Sequence, residues 1–60
     1  MVLNKKDENE IFDYLLKNKD KQQNVILLIL FYQYGIGTKK NEIKAFELYK
    51  EAAEKVKLIQ

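Results

Sequence analysis

The chain contains no cysteine, histidine, serine, arginine, proline or tryptophan, and it has only two glycines. Without Cys and His, it can form neither disulfides nor zinc sites built on thiolate or imidazole ligands. The same absences, together with that of Ser, remove the common nucleophiles and the usual general base. We therefore expect no catalytic residues, no metal site and no cofactor, and a protein that is not an enzyme.

An excess of charge of one sign is also missing. The formal net charge is +2, and all eleven basic residues are Lys. Such a weak field gives little reason to expect a nucleic-acid partner, and Arg, which is preferred for contacts to phosphate and guanine, is absent. Two small basic clusters are interleaved with acids, as on an ordinary solvated face: Lys17, Lys19 and Lys21, and Lys39 and Lys40.

No hydrophobic run is long enough to cross a membrane. The longest is Val25 to Tyr32, eight residues, whereas a spanning helix needs about 20. The first nine residues are polar and lack the apolar core of a signal peptide. The sequence therefore predicts no integral membrane segment and a cytoplasmic location.

What is present favours helices. Apolar residues make up 47% of the chain and charged residues 33%, which is a globular composition, and the lack of Pro suits helices. We expect an all-α fold with a disordered tail over residues 1–6 and one domain over 7–60, with helices at about 8–18, 21–34 and 42–58. A chain this short is marginally stable, so further stability must come from good helix packing or from a partner.

Each helix begins with a candidate N-cap. Asp7 with Glu10, and Asp20 with Gln23, have the spacing of a capping box, and Asn41 precedes the third helix. Along that third helix one broad arc is apolar and is expected to face the core: Ala45, Phe46, Leu48, Tyr49, Ala52, Ala53, Val56 and Ile59.

The run Val25–Tyr32 is the one ambiguous segment. Read alone, it also fits a buried strand, because periodicity does not separate a short apolar strand from a buried helix. The cap signal before it and Gly35 after it favour a helix, and the strand remains the alternative. The link of residues 35–41 suits an antiparallel helical hairpin, to which the first helix is added.

This hairpin resembles the Sel1-like repeat, a tetratricopeptide-like family. The matching positions in residues 25–56 are Leu28, Tyr32, Gly35, Gly37, Lys44, Ala45, Tyr49, Ala52 and Ala53, with Asn41 at the cap. The pattern Tyr-x-x-Gly-x-Gly followed by Lys-Ala and Tyr-x-x-Ala-Ala is fairly specific. Two positions depart from it, because Ile29 and Val56 stand where the family has Gly, which indicates a degenerate or terminal repeat and a third helix that continues past Val56.

The resemblance implies an α-solenoid type of fold and a function as a protein-binding adaptor or scaffold, and a chain that is either complete or part of a longer repeat protein. The partner would be another protein or another copy of the chain, since the second helix is apolar nearly all round and three helices cover it poorly. The aromatic residues are expected mostly in the core, with Tyr34 exposed as a candidate partner contact.

Two other functions are weighed against this one. An amphipathic peptide that binds an anionic membrane surface is the alternative, but the polar face of the third helix carries as many acids as bases. The segment Gly35-x-Gly37-Thr38 could suggest a phosphate loop. It lacks the spacing of the Walker motif and follows a helix, so a helix stop explains it better.

Overall fold

The computed structural model describes residues 4–59, and the side chains of residues 4–55, and this part of the chain is built from three α-helices. They are α1 (Lys5–Lys17), α2 (Gln22–Tyr34) and α3 (Glu42–Ile59). Within the described residues there is no strand, so the chain is all-α as predicted and the apolar run of α2 is helical. α3 passes Val56 without stopping, as its missing Gly predicted.

The first helix begins earlier than predicted. Its N-cap is Asn4, whose side chain accepts a hydrogen bond from the Asp7 backbone N–H at 2.9 Å. The prediction of an Asp7 cap is therefore wrong. Asn4 caps as well as Asp does, and it places Asp7 and Glu8 in the first turn, where negative charge is favourable. Of the tail predicted over residues 1–6, residues 5 and 6 are helical and residues 1–3 lie outside the described residues.

The start of α2 also differs from prediction. Its N-cap is Lys21, which makes no side-chain cap hydrogen bond, so the Asp20 cap is wrong. Two asparagines hold this turn instead. The Asn18 side-chain amide donates to the Tyr14 carbonyl at 2.8 Å, and the buried Asn24 amide donates to the Asn18 carbonyl at 2.9 Å. Asn24 thereby ties the first turn of α2 to the end of α1.

The loop between α2 and α3 follows the prediction. Gly35 ends α2 in the left-handed region, with φ 68° and ψ 42°. The Asn41 side chain caps α3 by accepting from the Lys44 backbone N–H at 3.0 Å. Its own backbone N–H donates to the Tyr32 carbonyl at 2.8 Å, which fixes the start of α3 beside the end of α2.

α2 lies between its two neighbours, and each packs against it in the antiparallel direction. On the α1 side, Phe12 stacks on Phe31 at 6.4 Å and meets Tyr32 edge-on at 5.3 Å between ring centroids. The buried core cluster draws on all three helices: Leu15, Val25, Leu28, Leu48 and Ala52.

The predicted core arc of α3 proves too wide. Ala45, Leu48 and Ala52 are buried, but Phe46 and Tyr49 are each 62% exposed, so their assignment to the core is wrong. The reason is that, in the part of α3 that the structure describes, α2 is the helix that lies alongside it, and one neighbouring helix covers only a narrow stripe. The predicted arc positions Val56 and Ile59 have side chains outside the described set.

Candidate interaction groove

The second helix carries an exposed apolar surface without any charge. None of its 13 residues is Asp, Glu, Lys or Arg. A helix at a protein surface normally turns a charged or polar face to solvent, yet Ile26, Leu27 and Leu30 are 49%, 42% and 41% exposed. The sequence predicted that three helices would cover α2 poorly, and the exposure of these three side chains agrees with that expectation.

Part of that surface joins α3 to form what we call the groove, defined by Ile26, Ile29, Leu30, Phe46 and Tyr49. On α2 the lining residues follow helical spacing, and on α3 the two aromatic rings stand three residues apart, so both sets face the same cleft. The groove contains two adjoining recesses of about 270 and 410 Å³. Helix α1 does not cover it, because α1 packs against other residues of α2.

Polar groups at the margins of the groove already have partners within the chain. The Lys50 ammonium lies 5.8 Å from the centroid of the Phe46 ring, within cation–π range. At one end, the Gln22 side-chain amide donates to the Ala52 carbonyl at 3.5 Å. At the other end, Glu42 lines the cleft and is 3.4 Å from Lys40 in an exposed ion pair. The groove therefore suits an apolar surface better than a polar ligand.

The structure places the predicted repeat-motif residues in four settings. Leu28, Ala45 and Ala52 are buried. Tyr32 is half-buried on α2 and packs against the core, edge-on to Phe12. Tyr49 and Ala53 line the groove, and Tyr34, predicted as a partner contact, is 66% exposed at the end of α2, outside the groove lining. The remaining motif residues belong to the connecting loop, its caps or a solvent-exposed position: Gly35, Gly37, Asn41 and Lys44.

Gly37 joins the loop to α1. It has φ 68°, and its backbone N–H donates to the Glu8 carboxylate at 3.3 Å. A Cβ added here would stand 2.9 Å from the Glu8 carbonyl carbon and 3.0 Å from the Phe12 Cβ. The Glu8 carboxylate therefore already accepts a hydrogen bond from the backbone N–H that a bound phosphate would need. This contact favours the interpretation of the segment as a helix stop over its interpretation as a phosphate loop.

Sequence reasoning missed Phe46 and Tyr49 as surface residues. The apolar arc of α3 is wider than the stripe that one neighbouring helix can bury. That width is the feature of the sequence from which their exposure could have been predicted. The sequence did not show that α1 lies along α2 and leaves this flank of α3 open.

No protein-family model matches the chain, and neither a curated protein nor a solved structure matches it. Among the helices that the structure describes, none combines the length and apolarity needed to cross a bilayer. Function must therefore be argued from the groove itself.

Proposed function

We propose that the chain is a non-catalytic protein–protein interaction module of the Sel1-like repeat type, an adaptor that takes an amphipathic helix in its groove. The observation that carries the proposal is the groove: five apolar side chains on two antiparallel helices, of which Ile29 is partly buried and the other four are exposed. A cleft between two helices accepts a third helix by the helix-in-groove mode, in which apolar anchors at i, i+3, i+4 and i+7 enter it.

The chemistry of the motif positions agrees with that reading. Small Ala45 and Ala52 are buried on α3 and let α2 approach closely. The positive φ angles of Gly35 and Gly37 suit the Gly-x-Gly of the motif, since a residue with a Cβ rarely adopts them. These features build a closely packed hairpin in which the groove is formed without a partner, and a preformed groove lowers the entropic cost of binding.

A designed amphipathic peptide tests this function. The probe is a fluorescein-labelled helical peptide with Leu at i, i+3, i+4 and i+7, titrated with the chain kept near 1 µM. We expect saturable binding, and a Tyr49→Ala variant should bind at least about tenfold more weakly, because aromatic anchors at the centre of an interface carry most of its free energy. A Tyr14→Ala variant is the matched control, since Tyr14 is 56% exposed on α1.

The membrane-surface alternative is tested with vesicles. Co-sedimentation with anionic phosphatidylserine vesicles should leave the chain in the supernatant, because α2 has no Lys to flank its apolar residues. Saturable vesicle binding together with no binding of the peptide would reverse the assignment.

A further inference from the structure

We propose that the groove is covered by the groove of a second copy of this chain, in a closed two-fold dimer. The inference rests on the proposed function and names the partner. Three observations carry it: the apolar area that the groove face offers, the charged outer face of α1, and the charges along the margin of the groove.

The first observation is the size of the uncovered surface. Burying a whole aromatic side chain removes about 150–250 Å², and Phe46 and Tyr49 are both 62% exposed. With Ile26 and Leu30 of the groove, and Ile43 beside it, the face offers on the order of 500 Å² of apolar surface. A standard interface buries about 800 Å² per partner, and roughly 65% of that area is apolar in homodimers. The apolar area that a standard homodimer buries per partner is therefore about as large as the apolar surface that this face offers.

The second observation decides the symmetry. An open head-to-tail stack would place the outer face of α1 from one copy into the groove of the next. That face is charged, since Glu10, Asp13 and Lys17 are all exposed and Asp13 and Lys17 form an ion pair at 2.9 Å. Burying these charges against an apolar groove would cost more desolvation free energy than the new contact returns. A second copy offers a matching uncharged apolar surface in its own groove, and pairing the same patch on both copies gives two-fold symmetry.

The third observation is the distribution of charge along the groove. Glu42 lies at one end and Lys50 two turns further along α3. A two-fold axis perpendicular to α3 runs the two α3 helices in opposite directions, so that Glu42 of one copy lies towards the Lys50 turn of the other. A two-fold axis parallel to α3 would instead set Glu42 against Glu42 and Lys50 against Lys50. The uncharged α2 helices impose no such cost in either direction.

Sedimentation equilibrium on the full chain, from about 1 to 500 µM, tests the proposal. We expect a monomer–dimer equilibrium with no larger species, as a closed interface requires. A Tyr49→Glu variant should raise the dimer Kd at least about 30-fold, because a carboxylate would be buried in the centre of the interface. Tyr14→Glu makes the same change at a similarly exposed tyrosine on α1 and should leave the Kd within about threefold.

Far-UV circular dichroism identifies any variant that fails to fold, and Phe46→Glu then replaces Tyr49→Glu in the same groove. A wild-type chain that stays monomeric at 500 µM, a ladder of larger species, or a dimer lost with Tyr14→Glu but not with the groove variants would each overturn the two-fold dimer. If the chain is monomeric and still binds the amphipathic peptide, the second copy is excluded and the proposed function stands. If neither occurs, both fail.

Discussion

Gly37 is the residue at which local backbone geometry and tertiary packing meet. Gly35 has the same φ of 68°, but a Cβ at Gly35 would meet only the Lys40 backbone and side chain at 3.2 to 3.5 Å. The two glycines therefore share one conformational requirement and differ in what surrounds them. Comparing them separates the strain of a left-handed backbone from the packing of the loop on α1.

We predict that Gly37→Ala destabilises the chain more than Gly35→Ala does. Both lose about 1–2 kcal/mol for placing an L-residue at positive φ. Gly37→Ala should lose roughly 1–3 kcal/mol more, because its methyl group would push α1 away from the loop. Urea unfolding followed by circular dichroism, at equal protein concentration, measures the difference. Equal losses would show that the contact of Gly37 with α1 contributes nothing to stability.

At the scale of the helix, the N-caps separate two residues that the sequence treats alike. Asn41 accepts from the Lys44 backbone N–H, whereas Asp20 precedes an N-cap residue that makes no side-chain hydrogen bond. We predict that Asn41→Ala lowers the free energy of unfolding by about 1 kcal/mol, with Asn41→Ser largely restoring it. Asp20→Ala should change it by less than about 0.5 kcal/mol. Thermal unfolding of the three variants at one concentration provides the comparison.

The reversed order, with Asp20→Ala the costlier change, would mean that Asp20 caps α2 in solution. Either result bears on how far caps can be assigned from sequence. More than one polar residue near the start of a helix can compete for the role, and the choice depends on where the preceding turn leaves the chain. In α1 the residue earlier in the chain, Asn4, is the cap. At the start of α2 the Asn24 side chain donates to the Asn18 carbonyl, and Asp20 does not act as the cap.

The three helices themselves could be predicted because their signals are local. Gly35 ends α2, and Asn41 begins α3, by hydrogen bonds that span a few residues. The groove depends on which helix packs beside which, and that is not local. Phe46 and Tyr49 lie on the same apolar arc as Leu48, and only the absence of a neighbour on that flank makes them a surface.

At the scale of the whole molecule, the balance of buried and exposed apolar side chains links stability to association. Among the side chains that the structure describes, six apolar ones are buried and eight large ones remain exposed, Ile43 the most at 76%. A chain of this length has little core to spare, and without Cys or His it gains nothing from disulfides or from thiolate–imidazole metal sites. Dimer formation would bury the apolar surface of the groove, just as folding buries the apolar core. Because this burial stabilises the folded chain, folding and dimer formation should be coupled.

Coupled folding and association predict a melting temperature that depends on concentration. Because unfolding of a dimer releases two chains, mass action should raise the Tm by about 5 °C for each tenfold increase in concentration. Tyr49→Glu should show a much smaller change in Tm over the range, since its dimer is weakened and a monomer has no such dependence, and Tyr14→Glu should follow the wild type. Differential scanning calorimetry from 10 µM to 1 mM distinguishes these cases. A wild-type Tm that stays constant would show that the six buried apolar side chains stabilise the fold unaided and that the groove is free to bind a different helix.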